Sequence, residues 1–171
     1  MLQGLLSNDH SPAPAAAQEQ RLAPSAADGI GPDAPAAVID TNVVLDLFLF
    51  RDTRADWLRR ALAAGQLRWL ATPAMRDELE QVLGRALLQA WRPDAQVLLR
   101  RVDEQMTPVA PAPATPLLRC RDGADQMFVD LALAGRARWL ISRDRDVLAL
   151  RRRALALGLA IGTPEQLAPQ R

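Results

Sequence analysis

From residue 36 onward, short apolar runs alternate with segments of helical spacing, and this rhythm limits the fold more than any other feature. "AAVI" (36–39), "LRWLA" (67–71), "ARWLIS" (137–142) and "GLAIGTP" (158–164) are too short to be helices and too continuously apolar to be strands with one wet face. The opening of the proline-rich stretch 107–116, "TPVA", has room for one more short strand. Between these runs lie "NVVLDLFLF", then 54–65 with Trp57, Leu58, Ala61 and Leu62 on one side and Gly65 as a stop. A helix over 73–88 follows, with Thr72 as N-cap, Pro73 at its first position and Met75, Leu79, Val82, Leu83 and Ala86 on its apolar face. Further helices are expected over 93–105, opened by Pro93, over 123–136, and through "RDVLALRRRAL", with "PEQL" as a last turn. Strands alternating with helices imply a parallel sheet covered on both faces.

Residues 1–35 break the rhythm. They are rich in Ala, Pro, Ser, Gly and Gln, with prolines at 12, 14, 24, 32 and 35, and read as a disordered extension. The segment has neither the basic start nor the sustained apolar run of a signal peptide, and no stretch reaches the ~20 residues that cross a bilayer. With Cys120 as the single cysteine there is no internal disulfide, and the cytoplasm is the expected compartment.

Absent residue types narrow the chemistry. All 21 basic residues are arginine, and the one histidine, His10, lies in the extension. Without lysine there is no P-loop and no Schiff-base enzyme. Without a histidine in the folded part, a Ser-His-Asp triad or a histidine-rich zinc site is excluded. Carboxylates, hydroxyls, amides and arginines remain, a set that suits a hard ion such as Mg²⁺ or Mn²⁺. Net charge is +1, so no global polyanion signal exists. Arg59-Arg60 and Arg100-Arg101 read as solvated helix faces, while Arg151-Arg152-Arg153 leaves that reading and a phosphate-binding one open.

Two strands end alike, "AVIDTN" and "WLISRD". In open α/β sheets the functional crevice lies beyond the carboxyl ends of the strands, so Asp40 and Asp144 stand where a site would be. Either alone is readily a helix N-cap; the matched pair favours a site. Glu78 flanks the apolar face of its helix, with Glu80 roughly 200° away, so only one of the two can face a given point. Asp125 opens the helix after Cys120-Arg121-Asp122, and Asp130 should face elsewhere, roughly 140° around.

Together these segments resemble the PIN-domain nucleases, in particular the branch described as toxins of toxin–antitoxin modules, over about residues 36–168. "VIDTNVVLDLF" is similar to the family's first-strand motif, whose aspartate binds metal, and this carries over to Asp40. "TPAMRDELEQVL" is similar to its helix motif E-L-x-x-V-L, which places the second acid at Glu78. "CRDGADQMFVDLALAGRARWLISRDRDVLAL" resembles D-P-D-D-N-K-F, an Ala-rich helix, a strand and T-G-D-x-D-L-L, which places the remaining acids at Asp125 and Asp144. "TPEQL" is similar to the closing motif T-P-E-E-F/L. The departures are Gly123-Ala124 for Pro-Asp, Met127 for Lys, Ser142 for Thr, and Arg143 for the Gly before Asp144, a bulky cation beside the site.

The resemblance implies a three-layer α/β/α sandwich with a central, mainly parallel sheet of four to five strands, spanning 36–168 with 169–171 as a tail. It implies endonucleolytic hydrolysis of RNA leaving a 3′-hydroxyl, a small antitoxin partner and a homodimer. Converging carboxylates repel, a divalent cation relieves that conflict, and the cation activates a water and neutralises transition-state charge. Asp40, Glu78, Asp125 and Asp144 are then the metal-binding and catalytic acids, with Asn42 and Ser142 orienting them. Arg121, Arg143 and Arg145 are the candidates for RNA phosphate contacts. Asp46, Asp122 and Asp146 read as capping or solvated residues, and Trp57, Trp69, Trp91 and Trp139 as packing residues. The competing expectation is a silent PIN-like domain that binds nucleic acid or protein, with Arg143 obstructing the site. An aspartyl-phosphate enzyme would need D-x-D after the first strand and a lysine, and the chain has neither.

Overall fold

The computed structural model describes residues 34–91 and 94–169. The expected extension therefore falls outside the described residues except for Ala34 and Pro35, as does Pro93. Five strands form: β1 (Ala36–Ile39), β2 (Arg68–Ala71), β3 (Met106–Pro108), β4 (Trp139–Ile141) and β5 (Ala160–Gly162). Every pairing is parallel, in the order β3-β2-β1-β4-β5. The sheet is thus five-stranded and wholly parallel, at the upper end of the expected strand number.

The period-2 alternation of side chains divides the core into two layers. Ala37 and Ile39 of β1, Trp69 of β2 and Ile141 of β4 face one side. They pack with Val43, Val44 and Leu45 of α1 (Thr41–Leu45), Leu58 and Leu62 of α2 (Asp56–Ala63), Leu79 and Leu83 of α3 (Pro73–Leu83), and Leu98, Leu99 and Val102 of α4 (Ala95–Gln105). Val38, Leu70, Leu140 and Ile161 face the other side, against Phe128, Val129 and Leu131 of α5 (Gln126–Ala134) and Val147, Leu150 and Ala154 around α6 (Arg145–Leu148) and α7 (Arg151–Leu155). Gly135, just past α5, lies so close to β2 that a Cβ there would meet Leu70 Cδ1 at 2.7 Å. Its lack of a side chain lets the end of α5 settle onto the sheet.

Local signals explain most element ends. Thr72 accepts from the Met75 amide with Pro73 at the first position of α3, as expected. Gly65 stands at φ 63 after α2, which suits glycine. α3 ends at Leu83, short of residue 88, and a 3-10 turn over Ala86–Trp91 follows. α1 gives way to a π-helical turn at Asp46–Phe50. α4 is capped by Asp94, whose carboxylate accepts from the Val97 amide. α8 (Pro164–Leu167) carries a full capping box between Thr163 and Gln166.

Two further placements depart from expectation. Trp91 is 59% exposed, while Trp69 is buried as a packing residue should be. Asp130 does face away from the strand ends but is buried, and one of its oxygens accepts from the Thr115 amide and from Gln126 Nε2. It pins the proline-rich connection onto α5. Asp130→Ala is therefore expected to cost about 1–3 kcal/mol, read as a lower urea midpoint, because the part-buried Thr115 amide and the Gln126 side chain lose their acceptor. An unchanged midpoint would show that the connection holds without it.

Candidate active site

The chain builds β1, β2 and β3 towards one edge, then returns to lay β4 and β5 on the other side of β1. The order reverses between β1 and β4, which makes the carboxyl ends of that pair the switch point of the sheet. Ile39 and Ile141 are in register there, and the Asp40 amide donates to the Ile141 carbonyl at 3.0 Å. Asp40 and Asp144 thus emerge side by side because their strands are neighbours, and not merely because their sequences look alike.

Asp40 occupies the N-cap position of α1, yet its side chain makes no capping bond. Its Oδ2 instead accepts from Asn42 Nδ2 at 2.9 Å and from the Ser142 hydroxyl. Ser142 Oγ in turn accepts from the Asp144 amide at 2.9 Å, and the Arg143 amide donates to Asn42 Oδ1 at 3.2 Å. Asn42 and Ser142 so stitch the two strand ends together and fix Asp40. Asp144 is a true cap: its Oδ1 accepts from the amides of Asp146 and Val147 at 2.7 and 3.1 Å. Glu78, on α3, accepts from Thr41 Oγ1 at 2.9 Å, which aims it across to the start of α1, while Glu80 is exposed. Asp125 precedes α5 and makes no capping bond. Asp122 accepts from the Ala124 amide and shapes the loop before it.

The electrostatics tie these acids to one region. Asp40 is only 3% exposed, and burial, with a smaller push from Glu78, raises its pKa above the ordinary value despite the bonds from Ser142 and Asn42. Asp125 is pushed up to about 7, first by desolvation and then by the charges of Asp40, Asp144, Asp122 and Glu78. The four carboxylates repel one another without touching: among the described residues no three His, Cys, Asp or Glu side chains stand close enough to grip one ion. Three of the acids are instead held by their own scaffolds, Glu78 by α1, Asp40 by Ser142 and Asn42, Asp144 by the start of α6, while the Asp125 carboxylate accepts no hydrogen bond among the described residues. In donor chemistry the set does suit a hard divalent cation, since Asp40 Oδ1, Glu78 Oε1, Asp144 Oδ2 and both oxygens of Asp125 accept no side-chain hydrogen bond among the described residues.

Residues 36–146 match the family model described as a PIN domain. The chain belongs to the PIN-domain family. No curated protein matches it in sequence. Among solved structures, it is similar to VapBC2 from Rickettsia felis bound to a DNA fragment from their promoter, at TM-score 0.52 and 11% identity, covering 75% of this chain and 98% of that one. It also resembles PAE2754 from Pyrobaculum aerophilum, at TM-score 0.47 and 19% identity, covering 70% of this chain and 87% of that one. The wholly parallel sheet between two helical layers is the expected three-layer α/β/α sandwich of this PIN domain.

Arg143 is the residue at which this PIN domain departs most from the expected motif, and its surroundings differ from the expectation of a cation turned towards substrate. Its guanidinium pairs with Asp46 through Nε, with Glu165 through Nη1 at 2.8 Å, and lies 3.5 Å from Asp52 through Nη2. Asp46 is nearly buried, and the arginine side chain is 21% exposed. Three carboxylates from the end of α1, the following loop and α8 thus converge on Arg143. Asp46, read as capping or solvated, belongs to this clasp. Asp52 and Glu165 carry no local signal of their own; the sign that points to them is one non-glycine cation at a glycine position, which needs acidic partners nearby. Arg121 and Arg145 are exposed.

Proposed function

We propose that this PIN domain, residues 36–168, is a metal-dependent endoribonuclease that hydrolyses RNA phosphodiester bonds at Asp40, Glu78, Asp125 and Asp144. One observation supports the reading: the charges of Asp40, Asp144 and Glu78 all reach Asp125, none of these four acids has an ion-pair partner among the described residues, and Arg143, next to Asp144 in sequence, is taken by three other acids. A charge surplus of this kind asks for a divalent cation. When bound, Mg²⁺ or Mn²⁺ supplies an activated water and charge neutralisation at the phosphorus centre. Asp40 and Asp144 are the most rigidly held ligands, each with one oxygen fixed by two hydrogen bonds. Asn42 and Ser142 act through Asp40 by setting its rotamer. Arg121 and Arg145, both exposed, are the proposed contacts to phosphate oxygens. Product carries a 3′-hydroxyl, by the resemblance to the family.

The biological setting proposed is that of a toxin whose small antitoxin partner blocks the site, in a cytoplasmic homodimer. Its support is the resemblance of residues 36–168 to that branch of the family, together with the fold shared with VapBC2 from Rickettsia felis. No helix among the described residues is long and apolar enough to cross a membrane. The second reading, a silent domain that binds nucleic acid or protein, draws on the separation of the four carboxylates. The deciding experiment is RNA cleavage by the wild type and Asp40→Asn with Mg²⁺, Mn²⁺ or EDTA.

Metal binding should carry a pH signature. Asp125 titrates at about 7 and must lose its proton to become a ligand. Mn²⁺ affinity is therefore expected to be flat above pH ~8 and to fall by up to about tenfold per pH unit below ~6, with up to one proton released per ion near the lower limit. Calorimetric titration in two buffers of different ionisation enthalpy measures this. Affinity independent of pH between ~5.5 and ~8.5 would remove Asp125 from the ligand set.

A further inference from the structure

Beside Asp144 lies a second feature that the four acids do not use. Ala149 and Leu150 keep right-handed helical backbone, so α6 runs on into α7 with Leu148 bonded back to Asp144 and Ala154 to Leu150. A groove of about 350 Å³ opens on this segment, lined by Arg145, Arg151 and Arg152 with Leu148 and Ala149. All three arginines are exposed, and none forms an ion pair among the described residues, whereas Arg54, Arg59, Arg76 and Arg143 all do. Arg153, the third of the triplet, reaches instead to the Leu117 carbonyl. Residues 136–153 hold seven arginines against two aspartates, in a chain whose total charge is only +1.

We propose that Arg145, Arg151 and Arg152 form a track for single-stranded RNA, leading its phosphates along α6 and α7 to Asp144. This rests on the nuclease reading and adds to it the substrate's form and path. Arg145 and Arg152 are seven residues apart, two helical turns or about 10 Å, so they can meet separate phosphates of one strand and not only a single ion. Guanidinium forks bind phosphate oxygens in pairs and offer flat faces on which unpaired bases stack. Leu148 and Ala149 give the floor an apolar surface that suits an unstacked base or a ribose. A duplex hides its base faces, and an acidic peptide has no use for the stacking surface; both are therefore poorer occupants.

The test is fluorescence anisotropy of a labelled single-stranded oligoribonucleotide in EDTA, where cleavage is silent, against wild type and Arg145→Gln/Arg151→Gln/Arg152→Gln. The triple variant is expected to bind at least tenfold more weakly at 0.1 M salt. The slope of log K against log salt is expected to drop by about two, at roughly 0.7 for each phosphate that is no longer neutralised. Single Arg152→Gln should take about a third of that slope and Arg152→Lys almost none, a comparison that holds even if the triple variant folds poorly. Wild type that shows no salt-dependent binding, an unchanged slope in the variants, equal affinity for duplex RNA, or equal competition by polyglutamate would each overturn the track. Cleavage with Mn²⁺ is measured on the same proteins. Wild type that binds with the full slope but never cleaves defeats the nuclease reading and leaves the track standing.

Discussion

Asp40→Asn is expected to lower divalent-dependent RNA cleavage by about 10²–10³-fold and to leave the protein as stable as the wild type or slightly more so. Asparagine keeps an oxygen that accepts from Ser142 and Asn42, so the stitch between β1 and β4 survives. What is lost is the negative charge and the second carboxylate oxygen, the one to which neither side chain donates. A bound ion contributes several kcal/mol of transition-state stabilisation, and losing a principal ligand forfeits much of it. Stability should move the other way. The Asp40 carboxylate is buried and its pKa raised by desolvation and by Glu78, so its charged form is penalised in the folded state. A neutral isostere removes that penalty and eases the repulsion felt by Asp125. A Tm unchanged or raised by about 2–5 °C, with cleavage gone, marks a residue kept for chemistry at the expense of stability. Equal cleavage by both proteins, or none by the wild type with any divalent ion, would end the nuclease reading. A Tm lowered by ~10 °C would make the loss structural.

The same contrast between scaffold and charge explains what is legible in the sequence. Strands β1, β2, β4 and β5 can be read because each is a short apolar run, and a strand buried on both faces needs nothing else. Thr72-Pro73 announces α3 through capping chemistry that acts within one turn. The position of Asp40 beside Asp144 is legible only as a pair of matching strand ends; their adjacency depends on β1 and β4 being neighbours across a crossover of about a hundred residues, which no local pattern encodes. Asn42 and Ser142 can be named because each sits within two residues of a strand-end acid, although the carboxylate that Ser142 holds is Asp40, at the end of the adjacent strand, and not its own neighbour Asp144. The clasp around Arg143 cannot, because Asp46, Asp52 and Glu165 come from segments that meet only after the sheet has closed. Asp130 is hidden for the same reason: Gln126 lies one turn before it in α5, but its other partner, Thr115, is set by the way the proline-rich connection returns to that helix. The early end of α3 has a local sign, Gly84 directly after Leu83, but the apolar Ala86 beyond it keeps the helical spacing going and masks the stop.

Arg143→Ala is expected to destabilise the PIN domain by about 2–4 kcal/mol, lowering Tm by about 5–12 °C, while changing cleavage per folded molecule by less than about threefold. Removing the guanidinium leaves Asp46 nearly buried without its partner and frees Glu165 from the clasp between α8 and the end of α1. Asp52 keeps Arg54, whose bonds hold its carboxyl at about 2, so that arm changes least. Arg143→Lys should recover less than half of the loss, because a single ammonium cannot fork towards three acids. The pH dependence has a definite sign. Burial tends to raise the Glu165 pKa, but the bonds and charge of Arg143 outweigh it and bring the value below the ordinary 4.5. A depressed carboxyl stabilises the fold above its unfolded pKa and loses that contribution as pH falls through the folded one. The gap in Tm between wild type and Arg143→Ala should therefore be full above pH ~5 and narrow below ~4. The backbone amide of Arg143, not its side chain, supports Asn42, so alanine leaves the acid site in place. A variant of unchanged Tm that loses RNA affinity and salt slope would reverse this account, because it would make Arg143 a phosphate contact and not a clasp. If stability falls while the salt slope holds, the arginine that replaces the family's glycine locks α8 onto α1 and leaves the entrance to Asp40 open to substrate.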